Sequence, residues 1–434
     1  MGILPQRRLY RRLLLLFGLI GIALVGLGGW AIYTRASFGK RISAIRAAGD
    51  PAVIADLRPK PISRDDNAVA QLLDAAPRLS AFASAHGRFF KTPVGIAYDK
   101  AHDARQTISP EQIDAIRAIV EDYPDLDAAF ARAADCPRYA SPLDFSLPHP
   151  QFLAGMVPAP IDIRGIARYI VWQMELATAD GRSDVAVEKG IELLRLAALY
   201  DAEPGLVSSQ IAMAVRGVAA GEIYDALSAG PISPALHREL DQELARFDGG
   251  AALTHTLKTE RAITISATQD QLGGARAIIV NTVALPMKKM YLNAIDYYEP
   301  VLAVAQQPWH DIFQNGKPSA FQKPTGFGVL ADLLAASFEA QFQSVHRTSA
   351  VLRSLRVYNA LRQFAETNGR EASGLAELKL PAEATTDPFT GQPLIMKPSE
   401  GGWMVYSVGK DGVDGGGEIE TTKDFGVGPA KRAE

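Results

Sequence analysis

Leu13–Tyr33 is a run of 21 residues without a charge. As a helix rising about 1.5 Å per residue it reaches roughly 31 Å, the thickness of a bilayer's hydrocarbon core. Arg7, Arg8, Arg11 and Arg12 precede it, while only Arg35, Lys40 and Arg41 follow. The excess of arginine before the run predicts a cytoplasmic N-terminus and a single crossing. Trp30 and Tyr33 fall where an aromatic belt meets the outer headgroups. A cleaved signal has a shorter apolar core and a small-residue processing site. The only such site is the poor Thr34-Arg35-Ala36-Ser37, so an anchor is the better reading. The chain beyond about residue 40 is then expected outside the cytoplasm, with the lipid bilayer as first partner through Leu13 to Tyr33.

The rest of the chain reads as folded. Hydrophobic residues make up 47% and charged residues 21%, enough apolar side chains for a core in a chain of 434 residues. The net charge of −3, with no basic stretch beyond the anchor, argues against a nucleic-acid surface. Cys136 is the single cysteine, which excludes an intramolecular disulfide. In Asp135-Cys136-Pro137-Arg138 no neighbouring histidine marks it as a nucleophile.

Spacing predicts a mainly α architecture. After a juxtamembrane helix closed by Pro59 and Pro61, apolar residues recur at helical spacing over Asp65–Ala85. Phe89–Arg105, with Pro93 and Gly95, reads as irregular. Ser109-Pro110-Glu111-Gln112 is a capping box with proline at the first helical position. Cys136–Pro160 holds six prolines with Tyr139, Phe145 and Phe152, the composition of an ordered loop packed by aromatics. From Arg164 to Phe247 four helices alternate with short breaks at Asp180-Gly181, Pro204-Gly205 and Gly230-Pro231. Helices so closely joined must lie antiparallel, giving an α-hairpin stack. No period near 34 residues marks tetratricopeptide repeats. Gly249–Asp270, Arg276–Gln307 and Val329–Glu339 continue as helices, and Ser344–Thr367 is a further one ending at Asn368-Gly369. Pro393–Met396 and Gly402–Val408 read as two strands of a hairpin. The expected divisions are 1–36 basic stub and transmembrane helix, 37–160 juxtamembrane helices and proline-rich loop, 161–340 helical hairpins, and 341–434 a small α+β module.

Two resemblances follow from motifs. The long helix with Tyr358, then Asp387-Pro388-Phe389-Thr390-Gly391 and Tyr406-Ser407-Val408-Gly409-Lys410-Asp411-Gly412, resembles the globular half of the type II secretion major pseudopilin. The apolar run lacks that family's processing site, and about 300 residues separate it from the helix, so the resemblance implies a borrowed module rather than a filament subunit. Asp411, Asp414, Glu418, Glu420 and Asp424 stand in a glycine-rich loop. Five carboxylates with freed carbonyls suit calcium, which takes six to eight oxygens. The alternative is an acidic tail balanced by Lys410, Lys423, Lys431 and Arg432. The resemblance implies a structural Ca2+, with Asp411, Asp414 and Asp424 its best ligands.

Over most of its length the chain also resembles a planctomycete-type group of bacterial single-pass membrane-anchored proteins. The shared residues are Tyr139-Ala140-Ser141-Pro142-Leu143-Asp144, Leu147-Pro148-His149, Arg164, Arg168 and Glu203-Pro204. That resemblance implies a location, the inner membrane with the bulk of the chain extracytoplasmic, and no activity. Asp144, His149, Arg164 and Arg168 are candidates to line a polar pocket; Arg164 and Arg168, four apart, share a helix face. The seven histidines form no H-E-x-x-H or H-x-x-x-H pattern, and no hydrolase elbow, phosphate loop or dinucleotide fingerprint occurs. The reading is an anchored extracytoplasmic scaffold or interaction protein. The alternatives are an envelope hydrolase using the Asp/His/Arg residues and a component of a secretion apparatus.

Overall fold

Ser109 accepts the amide of Gln112, whose side chain accepts the Ser109 amide at 2.8 Å, closing the expected capping box at the start of a helix. Ser233 likewise accepts the amide of Leu236. Such local signals set the elements of the computed structural model, which describes residues 17–18, 21, 33, 36–104, 106–157, 159–272, 293–313, 319–321, 328–399, 402–419 and 423–429. The helices are α1 (36–47), α2 (Ala68–Phe89), α3 (Pro93–Asp103), α4 (Pro110–Val120), α5 (Pro124–Ala134), α6 (His149–Met156), α7 (Ile163–Ala179), α8 (Ser183–Tyr200), α9 (Leu206–Ala229), α10 (Pro234–Ala245), α11 (Gly249–Leu272), α12 (Tyr298–Val304), α13 (Trp309–Phe313), α14 (Gly328–Asn368) and α15 (Ala382–Thr385). Strands β1 (Ile395–Ser399), β2 (Gly402–Ser407) and β3 (Phe425–Val427) make an antiparallel sheet in the order β1-β2-β3.

The fold is mainly helical, as the spacing predicts. Leu13–Tyr33 falls almost wholly outside the described residues. Among the described residues no helix is long and apolar enough to cross a membrane. The helix that follows the run is packed into the protein: Phe38, Ile42 and Ile45 of α1 are buried with Ile265 of α11 and Ile295. Arg41 pairs with Asp296, and Asp50 just beyond α1 takes Lys258 at 2.6 Å and Arg261 at 2.9 Å.

The hairpin stack is α7 on α8, α8 on α9, and α9 with α10 on α14. Gly190 of α8 lets α9 approach: a Cβ there would stand 2.3 Å from Cγ1 of Ile223. Three sequence expectations change. Phe89–Arg105 is helical over α3, because Pro93 stands at the first helical position behind Thr92, whose hydroxyl accepts the Gly95 amide at 3.0 Å. Gly95, in the first turn, lets the helix pack against the end of α2: a Cβ would lie 2.0 Å from the Phe89 carbonyl oxygen. The proline-rich loop contains a short helix, α6. The helices expected over Val329–Glu339 and Ser344–Thr367 are one, Gly328–Asn368, so α14 runs 41 residues, about 60 Å.

The divisions at 160/161 and 340/341 do not separate cores. One apolar cluster runs from Phe82 of α2 through Trp172 and Leu194 to Tyr358 of α14 and Val405 and Val427 of the sheet. The second division falls inside α14. A third strand joins the expected hairpin. β3 pairs with β2, Val405 opposite Val427, and a Cβ on Gly426 would strike the Val405 carbonyl at 2.1 Å.

Candidate functional site

Trp172 of α7 is 2% exposed and ringed by aromatics. Phe82 and Phe89 meet it edge-on at 5.6 and 5.4 Å, and Tyr98 does so at 6.4 Å. His86, at 4.6 Å from the indole, is pushed down to about 4 by burial and then by Arg168, so it is a neutral packing ring. This cage seats α3 on α7 and fixes where Tyr98 and His102, one turn apart, point.

Both reach the carboxylate of Glu175 on α7. The Tyr98 hydroxyl lies 2.7 and 2.9 Å from its two oxygens. His102 Nε2 lies 3.6 Å from Glu175 and 3.8 Å from Glu222, which comes from α9. The ligand atoms of His102, Glu175 and Glu222 all fall within 4.8 Å of one another, and among the described residues this is the one group of three histidine, cysteine or carboxylate side chains so gathered. The Glu175 and Glu222 side chains keep 9% and 15% of their surface, while His102 keeps 46% and forms the mouth. Burial, then the charge of Glu222, hold the Glu175 carboxyl well above the usual carboxylate range. Burial, then the Glu175 charge, does the same to the Tyr98 hydroxyl. Such a cluster can share a proton between its acids or hold a cation between nitrogen and oxygen ligands.

No protein-family model, no curated protein and no solved structure gives a significant match to the chain. The geometry therefore stands by itself.

The residues expected to form a polar pocket are not assembled. Asp144 is exposed and turned onto Ser146, accepting its amide at 2.9 Å and its hydroxyl. These bonds, and more weakly Arg58, lower its carboxyl. His149 begins α6, its amide capped by Asp270 at 2.8 Å, and burial lowers its ring. Arg164 and Arg168 share the exposed face of α7. Among the described residues no hydrogen bond or ion pair joins any two of the four. The correction has a simple cause: the buried face of α7 is Ile163, Ile166, Tyr169 and Ile170, which turns both arginines to solvent. The flanking motif does have a partner. Tyr139 donates to Glu203 at 2.6 Å and Ser141 donates to its other oxygen at 2.7 Å. The Tyr-Ala-Ser and Glu-Pro motifs thus meet as one buried clasp between the proline-rich loop and the start of α9.

The acidic C-terminal loop closes on itself. Asp424, fully buried, accepts the amides of Gly417 at 2.8 Å and Gly415 at 3.3 Å. Asp414 accepts the Tyr406 hydroxyl at 2.9 Å and the Gly416 amide at 2.8 Å, which lowers its carboxyl. Asp411 is exposed and accepts the Val413 amide at 3.2 Å; Glu418 pairs with Lys423 at 3.5 Å. Glu420 lies outside the described residues. Among the described residues these carboxylates accept donors of the loop and of Tyr406 and are not gathered within ligand distance of one another. Cys136 is half-buried, its thiol raised by burial and by Asp135, Asp66 and Asp65, the opposite of an activated nucleophile.

Sequence spacing missed the His102 cluster because Glu175 and Glu222 stand 73 and 120 residues from His102 along the chain. One signal was present: Glu175 sits between Met174 and Leu176 on the periodic apolar helix, where an acid needs a partner.

Proposed function

We propose that this protein is a membrane-tethered extracytoplasmic scaffold that presents its helical stack and α+β tip as a single stiff unit. The observation that supports this reading is the continuity of its frame. The juxtamembrane helix α1 is buried against α11, and α14 packs on α9, α10 and α11 before carrying β2 and β3 on the same helix. A body whose first packed helix starts three residues after Tyr33 in the sequence, and a tip that shares the body's core, suit a part that holds a partner at a set height above a bilayer. The polar motifs agree, since the Tyr139–Glu203 clasp and the Asp424 loop act inside the fold.

The test uses the full chain in liposomes, with Cys136→Ser and spin labels at Glu111→Cys and Lys410→Cys. A scaffold gives one narrow distance distribution and stays with the vesicles in alkaline carbonate. A broad distribution would sink the stiff frame; release by carbonate would sink the tether.

A further inference from the structure

The α3–α7–α9 cluster has a use that the scaffold reading does not need. We infer that His102, Glu175 and Glu222 bind a first-row divalent transition-metal ion, with Tyr98 positioning Glu175 from outside the coordination sphere.

The first argument is spacing. The imidazole nitrogen is 3.6 and 3.8 Å from the two carboxylates, too far for hydrogen bonds. A tetrahedral ion with bonds of about 2.1 Å sets its ligand atoms roughly 3.4 Å apart. Three ligand atoms from three helices within 4.8 Å of one another therefore need only small rotations to close on one centre.

The second argument is charge. Glu175 and Glu222 face each other largely out of water, and Asp225, one turn after Glu222, adds to the negative field. Among the described residues neither glutamate pairs with a lysine or arginine; the imidazole is the nitrogen group they share. A divalent cation would neutralise both acids at once, which one imidazole, carrying at most a single charge, does not.

The third argument is support and access. A ligating carboxylate is usually oriented by a hydrogen bond from outside, and the Tyr98 hydroxyl provides one to Glu175. Tyr98 is itself held against Trp172 and Phe89. His102, nearly half exposed, is the entry side. One imidazole and two carboxylates suit Zn2+, Mn2+ or Fe2+ better than calcium, which prefers oxygen throughout.

The experiment uses the metal-stripped full chain in detergent and zinc as the probe, followed by calorimetry and a melting curve. Cobalt substitution adds an absorption readout. One zinc per chain, a raised melting temperature and visible cobalt bands that report nitrogen and oxygen ligands are expected. His102→Gln, on the exposed rim, and Glu222→Gln should each weaken zinc at least tenfold while the apo melting curve holds. Asp411→Asn with Asp414→Asn should leave zinc binding intact. No binding at 100 µM zinc, about a hundredfold above a micromolar site, would overturn the assignment. So would binding that survives both His102→Gln and Glu222→Gln, or is lost with the loop substitutions. The scaffold reading stands or falls separately, on distance distributions and carbonate extraction.

Discussion

Tyr139 donates its hydroxyl to Glu203 at 2.6 Å across 64 residues of sequence. Ser141 holds the other oxygen, and burial raises the Glu203 carboxyl, so the acid depends on these two donors. Tyr139→Phe removes one and leaves a buried acceptor short. It should cost about 1–3 kcal/mol in a urea titration. Adding Ser141→Ala should cost less than the sum of the two single losses, because the acid then takes its proton. Strict additivity would show that the clasp is not one unit.

Asp387 is 2% exposed and accepts three donors: the Phe389 amide and the Ser407 hydroxyl, each at 2.8 Å, and the Val408 amide at 3.1 Å. It ties the Asp-Pro turn to the end of β2. Asp387→Ala strands all three and should destabilise by about 3 kcal/mol. Amide exchange should quicken first at Phe389 and Val408. Unchanged exchange there would count against the carboxylate as the tie.

Gly190 and Gly217 give a paired test. A Cβ on Gly190 meets Cγ1 of Ile223 at 2.3 Å and Cε of Met174 at 2.9 Å, whereas one on Gly217 meets nothing within 4 Å. Gly190→Ala should cost roughly 1–3 kcal/mol by forcing α8 from α9. Gly217→Ala, inside α9, should gain about 0.5–1 kcal/mol from helix propensity. Thermal melts of the two variants should move in opposite directions.

His346 sets an acid limit. Its Nδ1 stands 2.8 Å from the Phe342 carbonyl, and burial pushes the ring down to about 4 from 6.5. The folded value is the lower one, so the fold favours the neutral ring. The stability it allows is complete above about pH 6.5 and is lost as pH falls toward 4. The full difference is about 3 kcal/mol. Urea midpoints measured from pH 7.5 to 4.5 should fall, and His346→Phe should flatten the slope across that window. A slope that the substitution leaves unchanged would assign the acid limit elsewhere.

Sequence alone determined whatever depends on near neighbours. The Ser109 box, the Ser233 cap, the turn at Gly369 and the periodic faces of α7 and α8 are legible because a cap acts within three residues and a helix face repeats every three to four. The hairpin was legible from alternation, and the apolar run Leu13–Tyr33 from its length. Thr92, capping the helix that Pro93 opens, is a signal of the same local kind, whereas β3 is three residues that become a strand only by pairing with β2. Packing decided what lies far apart in sequence. It made α14 the shared spine of two expected units, turned Arg164 and Arg168 outward, and joined Tyr139 to Glu203. It also brought His102, Glu175 and Glu222 to one point from three helices. A helix's period states which face is apolar but not which helix covers it, and only that choice places two acids and an imidazole within 4.8 Å of one another.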